Sequence, residues 1–241
     1  MQDVWEELSE EIHAELTREF GGETEAWATE RVGRVMARLN AARVNRPPLT
    51  AEILWVRELT AFTAPGPYVY ISRRLLEKLP SDEALAFIFA HEAAHHDLGH
   101  TALIAGWTEW LPRFVTRESL GRVAAVVAAG LLRTFEDRVY GPEREAAADL
   151  RAVDLCLAAE YRGGTCLQAF EILENELLDR RAISEVYGPE NLLDPTDPGR
   201  GGVVYQLQRW LWTRTNRYLP LRERRERAWA HLRLRGGDET K

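Results

Sequence analysis

The sequence predicts an α+β protein that is predominantly helical, and three observations support this fold class. Apolar residues recur at helical spacing over most of the chain, in the ranges 3–20, 24–44, 81–98, 142–161, 165–182, 203–215 and 220–235. Two short stretches, 53–60 and 68–72, have the composition of strands. With 241 residues, 45% of them hydrophobic, the chain is long enough to bury one core.

Two N-terminal helices are predicted first, at residues 3–20 and 24–44, with Gly21-Gly22 between them. The sequence Asn45-Arg46-Pro47-Pro48 then interrupts helical structure. The strand patterns that follow, 53–60 and 68–72, flank a Pro-Gly-Pro turn, which favours an antiparallel pair. We expect three regions that pack as one unit: an N-terminal helical segment (1–46), a core (47–182) and a C-terminal region (183–241).

The next helix is predicted to begin at Ser81, which follows a proline and precedes Asp82 and Glu83. A serine N-cap and acidic residues in the first turn are typical of a helix start. The segment from Ala84 to Ala90 is apolar almost all round, as expected of a helix buried inside a domain, and Gly99 is a suitable C-terminal stop.

This helix carries the sequence His91-Glu92-Ala93-Ala94-His95, an HExxH pattern. Residues four apart lie one turn apart on the same face, so His91 and His95 can bind one metal ion. Glu92 can then reach a water molecule on the open side of the ion, which makes it the candidate general base. His96 should point away from the metal and is expected at the surface. The alternative is a pair of hydrogen-bonded core histidines, which would bury three polar groups without a cation.

A catalytic zinc ion needs a third protein ligand, and Glu145 is the best candidate. The segment 143–149 reads as the first turns of a helix that begins near Pro142, and its alanines allow close packing against the HExxH helix. Asp149 shares a face with Glu145 and can orient a ligand histidine through a hydrogen bond. The alternative is that both are surface acids, the interpretation that we favour for Glu143.

Together these features resemble the M48-type gluzincin metallopeptidases. His91 to His95 followed by His100 is similar to the zinc helix of that family, Glu145 to Asp149 is similar to its third-ligand motif, and residues 61–76 are similar to the strand and helix that precede the zinc helix. The resemblance implies a zincin-like core with a small antiparallel sheet beside the HExxH helix. It also implies one Zn²⁺ per chain and hydrolysis of a peptide or protein substrate, with Glu92 as base.

The resemblance further implies an edge strand that pairs with extended substrate, for which we select residues 61–70, with Ala64, Gly66 and Tyr68 as contacts. The alternative interpretation of the same residues is an ordinary hairpin, which does not exclude substrate binding. The oxyanion-stabilising residue is predicted among Arg225, His231 and Tyr187. Four residues are candidates for the C-terminal arginine that is common in the family, and Arg225 has the best spacing among Arg222, Arg224, Arg225 and Arg227.

Other properties restrict the class of protein. A net charge of −7 argues against a nucleic-acid partner, and no apolar run approaches the ~20 residues of a membrane span. The acidic start lacks a signal-peptide pattern, so we expect a cytoplasmic protein. Cys156 and Cys166 are expected to be buried thiols. Aromatic and apolar residues in 107–135 indicate core packing, with a peripheral membrane contact as the alternative.

Two alternatives to an active zinc endopeptidase stay open. In a self-inhibited zymogen, the N-terminal helices or the irregular loop 184–202 would cover the cleft, and a fourth ligand such as His13 or His231 would displace the catalytic water. In a non-catalytic binding module, zinc would only stabilise the fold. Such a structural site would not require Glu92. The sequence does not predict the substrate's identity or the oligomeric state.

Overall fold

The computed structural model describes residues 2–22, 24–56, 59–64, 66–101, 141–175 and 221–237. The predicted apolar segments in 107–135, the loop 184–202, the helix 203–215 and Tyr187 lie outside these residues. Within them the chain is mostly helical with one small sheet, which confirms the predicted α+β class. The elements in order are α1 (Gln2–Phe20), α2 (Ala26–Ala42), β1 (Thr50–Leu54), β2 (Ala61–Thr63), β3 (Tyr68–Ser72), α3 (Arg73–Lys78), α4 (Asp82–Asp97), α5 (Pro142–Ala158), α6 (Gly163–Cys166) and α7 (Leu221–Leu234).

The three strands form a mixed sheet in the order β1-β3-β2. β2 is antiparallel to β3, with Phe62 opposite Tyr70, whereas β1 is parallel to β3, with Glu52 opposite Tyr70. The prediction of an antiparallel partner over 53–60 was therefore wrong. A tight turn pairs residues on its immediate flanks, so the antiparallel partner is the short β2 next to the turn, and β3 lies between β1 and β2.

Helices lie against both faces of this sheet. The side chains of Ala61, Val69 and Ile71 point to the face that joins the main core together with residues of α2 and α4. Phe62 and Tyr70 lie on the opposite face, with ring centroids 5.0 Å apart, and α1 contacts this side. His13 of α1 stacks on the Tyr68 ring at 3.7 Å and its Nδ1 lies 3.1 Å from the Tyr70 hydroxyl.

Helix α4 is the central element, in contact with α2, β2, β3, α5 and α6. As predicted, Ser81 is its N-cap and accepts a hydrogen bond from the Ala84 N–H at 3.1 Å. Arg31 of α2 holds the entry to α4, because it donates to the carbonyl of Ser81 and to the Asp82 carboxylate. Gly99 ends the helix with a φ of +72°, which confirms the predicted stop.

Helix α5 begins at Pro142 as predicted, packs along α4, and is covered on another side by α7. Cys156 and Cys166 are buried free thiols, as expected, and Glu143 is exposed. In the part of the chain that the structure describes, no helix combines the length and the apolar composition needed to cross a membrane.

Candidate metal centre

Three predicted ligands meet between α4 and α5. The Nε2 atoms of His91 and His95 are 3.1 Å apart, and the Glu145 carboxylate lies 3.3 Å from the first and 3.5 Å from the second. Ligands that bind Zn²⁺ tetrahedrally at 2.0–2.2 Å are separated by about 3.3 Å. One donor atom from each of the three residues lies within 4.8 Å of the other two, so the side chains converge closely enough to hold one ion. Two nitrogens with one carboxylate are a donor set that zinc accepts.

The spacing follows from how the two helices approach each other. His91 and His95 occupy one face of α4 at the i, i+4 separation. On α5, Ala148 and Ala152 are fully buried, and side chains this small allow the two helix backbones to come close. Glu145 lies in the first turn of α5, so its side chain is at one end of the contact between α4 and α5, next to His91 and His95.

A second layer of charge supports the ligands. Asp149, one turn after Glu145, has its Oδ1 atom 3.0 Å from Nδ1 of His91. Arg224 of α7 donates two hydrogen bonds to the Asp149 carboxylate, at 2.7 and 2.8 Å, and its Nη1 lies 3.2 Å from Glu145. A bidentate guanidinium pair of this kind fixes the carboxylate in one orientation. Asp149 is thereby oriented toward the ligand histidine.

The pKa shifts reflect this arrangement. Burial alone would raise the pKa of Asp149 and Glu145, but Arg224 and His91 outweigh it and hold both values below their usual range. Burial lowers the pKa of His91, yet the two carboxylates prevail and raise it to about 10. Burial and the neighbouring His91 lower the pKa of His95. The two carboxylates thus favour positive charge at His91, one of the three residues that could hold a metal ion.

Helix α4 presents a second pair of residues, Glu92 and His96, to strand β2. Glu92 is buried, and desolvation raises the pKa of its carboxyl to about 8, although the charges of His91 and Arg224 and the backbone of Thr63 act in the opposite direction. His96 Nε2 is hydrogen-bonded to the Thr63 hydroxyl. The pair His91 and His95 therefore faces α5, whereas the pair Glu92 and His96 faces β2.

The prediction that His96 lies at the surface was wrong. Its ring is partly buried against β2, and burial together with Arg43 lowers its pKa to about 4. The reason is that α4 has neighbours all round, so that facing away from the metal does not mean facing solvent. The apolar character of the whole helix was the signal for this.

The structure places the remaining predicted residues elsewhere. Arg225 binds Glu174 at 2.7 Å and His231 lies 2.9 Å from Asp154, so neither side chain reaches the three ligands. Tyr187 lies outside the described residues. Of the four candidate arginines, Arg224 rather than the preferred Arg225 is the one at the centre. The sequence pattern that indicates its burial is the helical spacing it shares with the apolar residues of α7. The buried residues of this helix are Leu221, Arg224, Ala228 and Leu232.

The predicted substrate contacts divide into two groups. Ala64 is buried and directly follows Thr63 of β2, whose backbone is hydrogen-bonded to Glu92. Gly66 and Tyr68 lie against α1 instead: a Cβ atom at Gly66 would overlap the Ser9 hydroxyl, and the Tyr68 hydroxyl is 3.3 Å from Glu10. His13, considered as a fourth ligand, binds this same surface rather than the centre.

Comparison with known proteins agrees with the geometry. No curated protein matches the chain at a significant level. The model of peptidase family M48 matches residues 24–199, well over half of the chain, and this range contains His91, Glu92, His95, Glu145 and Asp149. Three side chains in this range, those of His91, His95 and Glu145, could hold a metal ion. Because the family match covers more than half of the sequence, the chain belongs to peptidase family M48.

Proposed function

We propose that the chain is a zinc-dependent metalloendopeptidase in which His91, His95 and Glu145 hold the ion and Glu92 is the general base. The observation that carries the proposal is the convergence of three donor atoms within 4.8 Å of one another, beside a buried fourth group that is not part of the ligand set. A purely structural zinc site closes its fourth position with another protein ligand. Here the neighbour is the carboxyl group of Glu92, which faces β2 and is suited to proton transfer rather than to binding the ion.

When bound, zinc supplies Lewis-acid activation of water and of the peptide carbonyl. Glu92 accepts the proton of the attacking water on its carboxylate and delivers it to the nitrogen of the leaving amine. Asp149 and Arg224 keep His91 and Glu145 in place, because the guanidinium contacts both carboxylates. The low exposure of Glu92, 8%, limits competing hydration of the base.

We place the substrate strand on β2 rather than on β3. Strand β3 lies between β1 and β2, so it offers no open edge to a substrate strand. The backbone at Tyr68 already pairs with Thr50 of β1. Among the described strands, β2 lies at an edge of the sheet and contacts α4. An extended peptide that adds to this edge would lie alongside Glu92. Ala64 stays in this proposal, whereas Gly66 and Tyr68 serve the contact with α1.

The proposal is tested by elemental analysis of the purified chain together with cleavage of unfolded casein, with and without a chelator. We expect one zinc per chain and cleavage that stops when the metal is removed and returns when zinc is added back. Bound zinc without cleavage would favour a self-inhibited form or a binding module instead. A protein without zinc affinity would contradict the proposal.

A second prediction concerns the attachment of β2 to α4. Thr63→Val removes the hydroxyl that bonds His96 and donates to the Tyr68 carbonyl at 3.2 Å, and we expect KM for a peptide to rise about 3- to 10-fold, with kcat and zinc content nearly unchanged. Thr60→Val is the matched control, since the buried Thr60 hydroxyl has no hydrogen-bond partner among the described residues. Steady-state kinetics on one fluorogenic peptide would compare the two variants, and equal KM values would rule out this role.

A further inference from the structure

The end of helix α4 turns His100 back toward the metal centre. Gly99 has a left-handed φ of +72°, its N–H donates to the His96 carbonyl at 3.0 Å, and the His100 N–H donates to the His95 carbonyl at 2.8 Å. These are the two hydrogen bonds of a Schellman motif, which reverses the chain over the last turn of a helix. The backbone of His100 is therefore tied to the residue that also supplies one of the three ligand atoms.

The side chains of the same two residues are in contact. His95 Nδ1 lies 2.9 Å from His100 Nδ1, and the two ring planes meet at 61°. Both imidazoles are buried, with exposures of 1% for His95 and 8% for His100. Nε2 of His95 faces His91 and Glu145, and the contact with His100 is made through the other ring nitrogen, Nδ1.

The protonation pattern follows from this geometry. An imidazole that binds a metal through Nε2 carries its proton on Nδ1. His95 then donates that proton to His100 Nδ1, which must be the unprotonated nitrogen, and the proton of the neutral His100 ring lies on Nε2. His100 cannot be a fourth ligand in this arrangement, since the His95 ring separates its Nδ1 from the three donor atoms.

We infer that His100 is a positioning residue for the metal site: as a neutral hydrogen-bond acceptor, it fixes the ring orientation and the tautomer of His95. The inference rests on the proposed zinc function and extends it. His91 receives the same support from the charged pair of Asp149 and Arg224. The two ligand histidines thus have different supports, one anionic and one neutral. The neutral support adds no further negative charge to a centre that already buries the three acidic residues Glu92, Glu145 and Asp149.

The experiment measures the zinc dissociation constant of the full chain by competition with a calibrated chelator. We expect His100→Leu to raise Kd by about 10- to 100-fold, the usual effect of losing the partner of a ligand histidine. His100→Asn should recover most of this loss, because its Oδ1 can accept the hydrogen bond near the position of Nδ1. The absorption spectrum of the cobalt-substituted protein should change in His100→Leu and return in His100→Asn.

His13→Leu is the matched control, since it removes a histidine that binds Tyr70 and not the centre; its Kd should equal that of the wild type. Should His100→Leu fail to fold, Gly99→Ala provides a second variant. Apart from its chain neighbours, no atom of the described residues lies within 4 Å of the added Cβ, so the substitution disfavours only the backbone conformation at φ +72°. We expect a smaller increase in Kd there. The inference would be overturned by a wild-type Kd in both His100→Leu and Gly99→Ala. An equal loss of zinc affinity in His100→Leu and His100→Asn would overturn it as well. A wild type without zinc would contradict the proposed function, and this inference with it.

Discussion

Glu92→Gln is expected to reduce peptide cleavage by about 10²- to 10⁴-fold while the protein keeps one zinc per chain. Glutamine has nearly the same shape as glutamate but cannot accept the proton of the attacking water. The metal should remain because Glu92 lies on the side of α4 that faces β2, whereas the ligand atoms of His91 and His95 point to Glu145.

Casein cleavage and elemental analysis on the same preparation measure the two effects. Glu83→Gln is the control, because Glu83 lies in the first turn of the same helix and binds Arg162 at the protein surface. Full activity in Glu92→Gln would remove Glu92 from the mechanism. Loss of zinc in that variant would mean that the carboxylate contributes to metal binding as well.

Arg224→Met should be the most destabilising single change at the centre, with a loss of about 3–5 kcal/mol in the free energy of unfolding. The substitution leaves the carboxylates of Asp149 and Glu145 buried without the cation that contacts both. Bound zinc replaces part of the missing positive charge, so the loss should be larger after the metal is removed. Denaturant unfolding of both forms would show this difference.

The neighbouring residue provides a closely matched control. Arg225→Met removes the same charge from the same helix, but Arg225 is about a third exposed and, among the described residues, its guanidinium pairs with Glu174. We expect a loss of about 1 kcal/mol or less. Equal destabilisation by the two substitutions would contradict the assignment of Arg224 to the metal centre.

Local rules explain why much of the centre could be predicted from the sequence. The spacing of His91 and His95, the Ser81 cap and the Gly99 stop depend on residues within one or two helical turns. The start of α5 at Pro142 likewise fixes the face that Glu145 and Asp149 share. Only the meeting of α4 and α5 required knowledge of the family.

The predictions that differed from the structure concern contacts between distant segments. The parallel pairing of β1 with β3 joins residues about 18 positions apart in sequence, and no local pattern encodes it. The choice of Arg225 followed the spacing of a family motif, although the apolar residues of α7 already indicated Arg224. His96 was misplaced because a helix with neighbours all round has no solvent face to which a polar residue can be assigned.

The packing of α1 on the sheet has a practical consequence for shortening the protein. The family match begins at residue 24, yet Ser9 and His13 lie against Gly66, Tyr68 and Tyr70. A chain cut at the family boundary would leave the rings of Phe62 and Tyr70 facing water next to an unpaired strand edge, a combination that promotes self-association. The smallest soluble fragment should therefore include the first helix, and the evolutionary unit is shorter than the unit that folds.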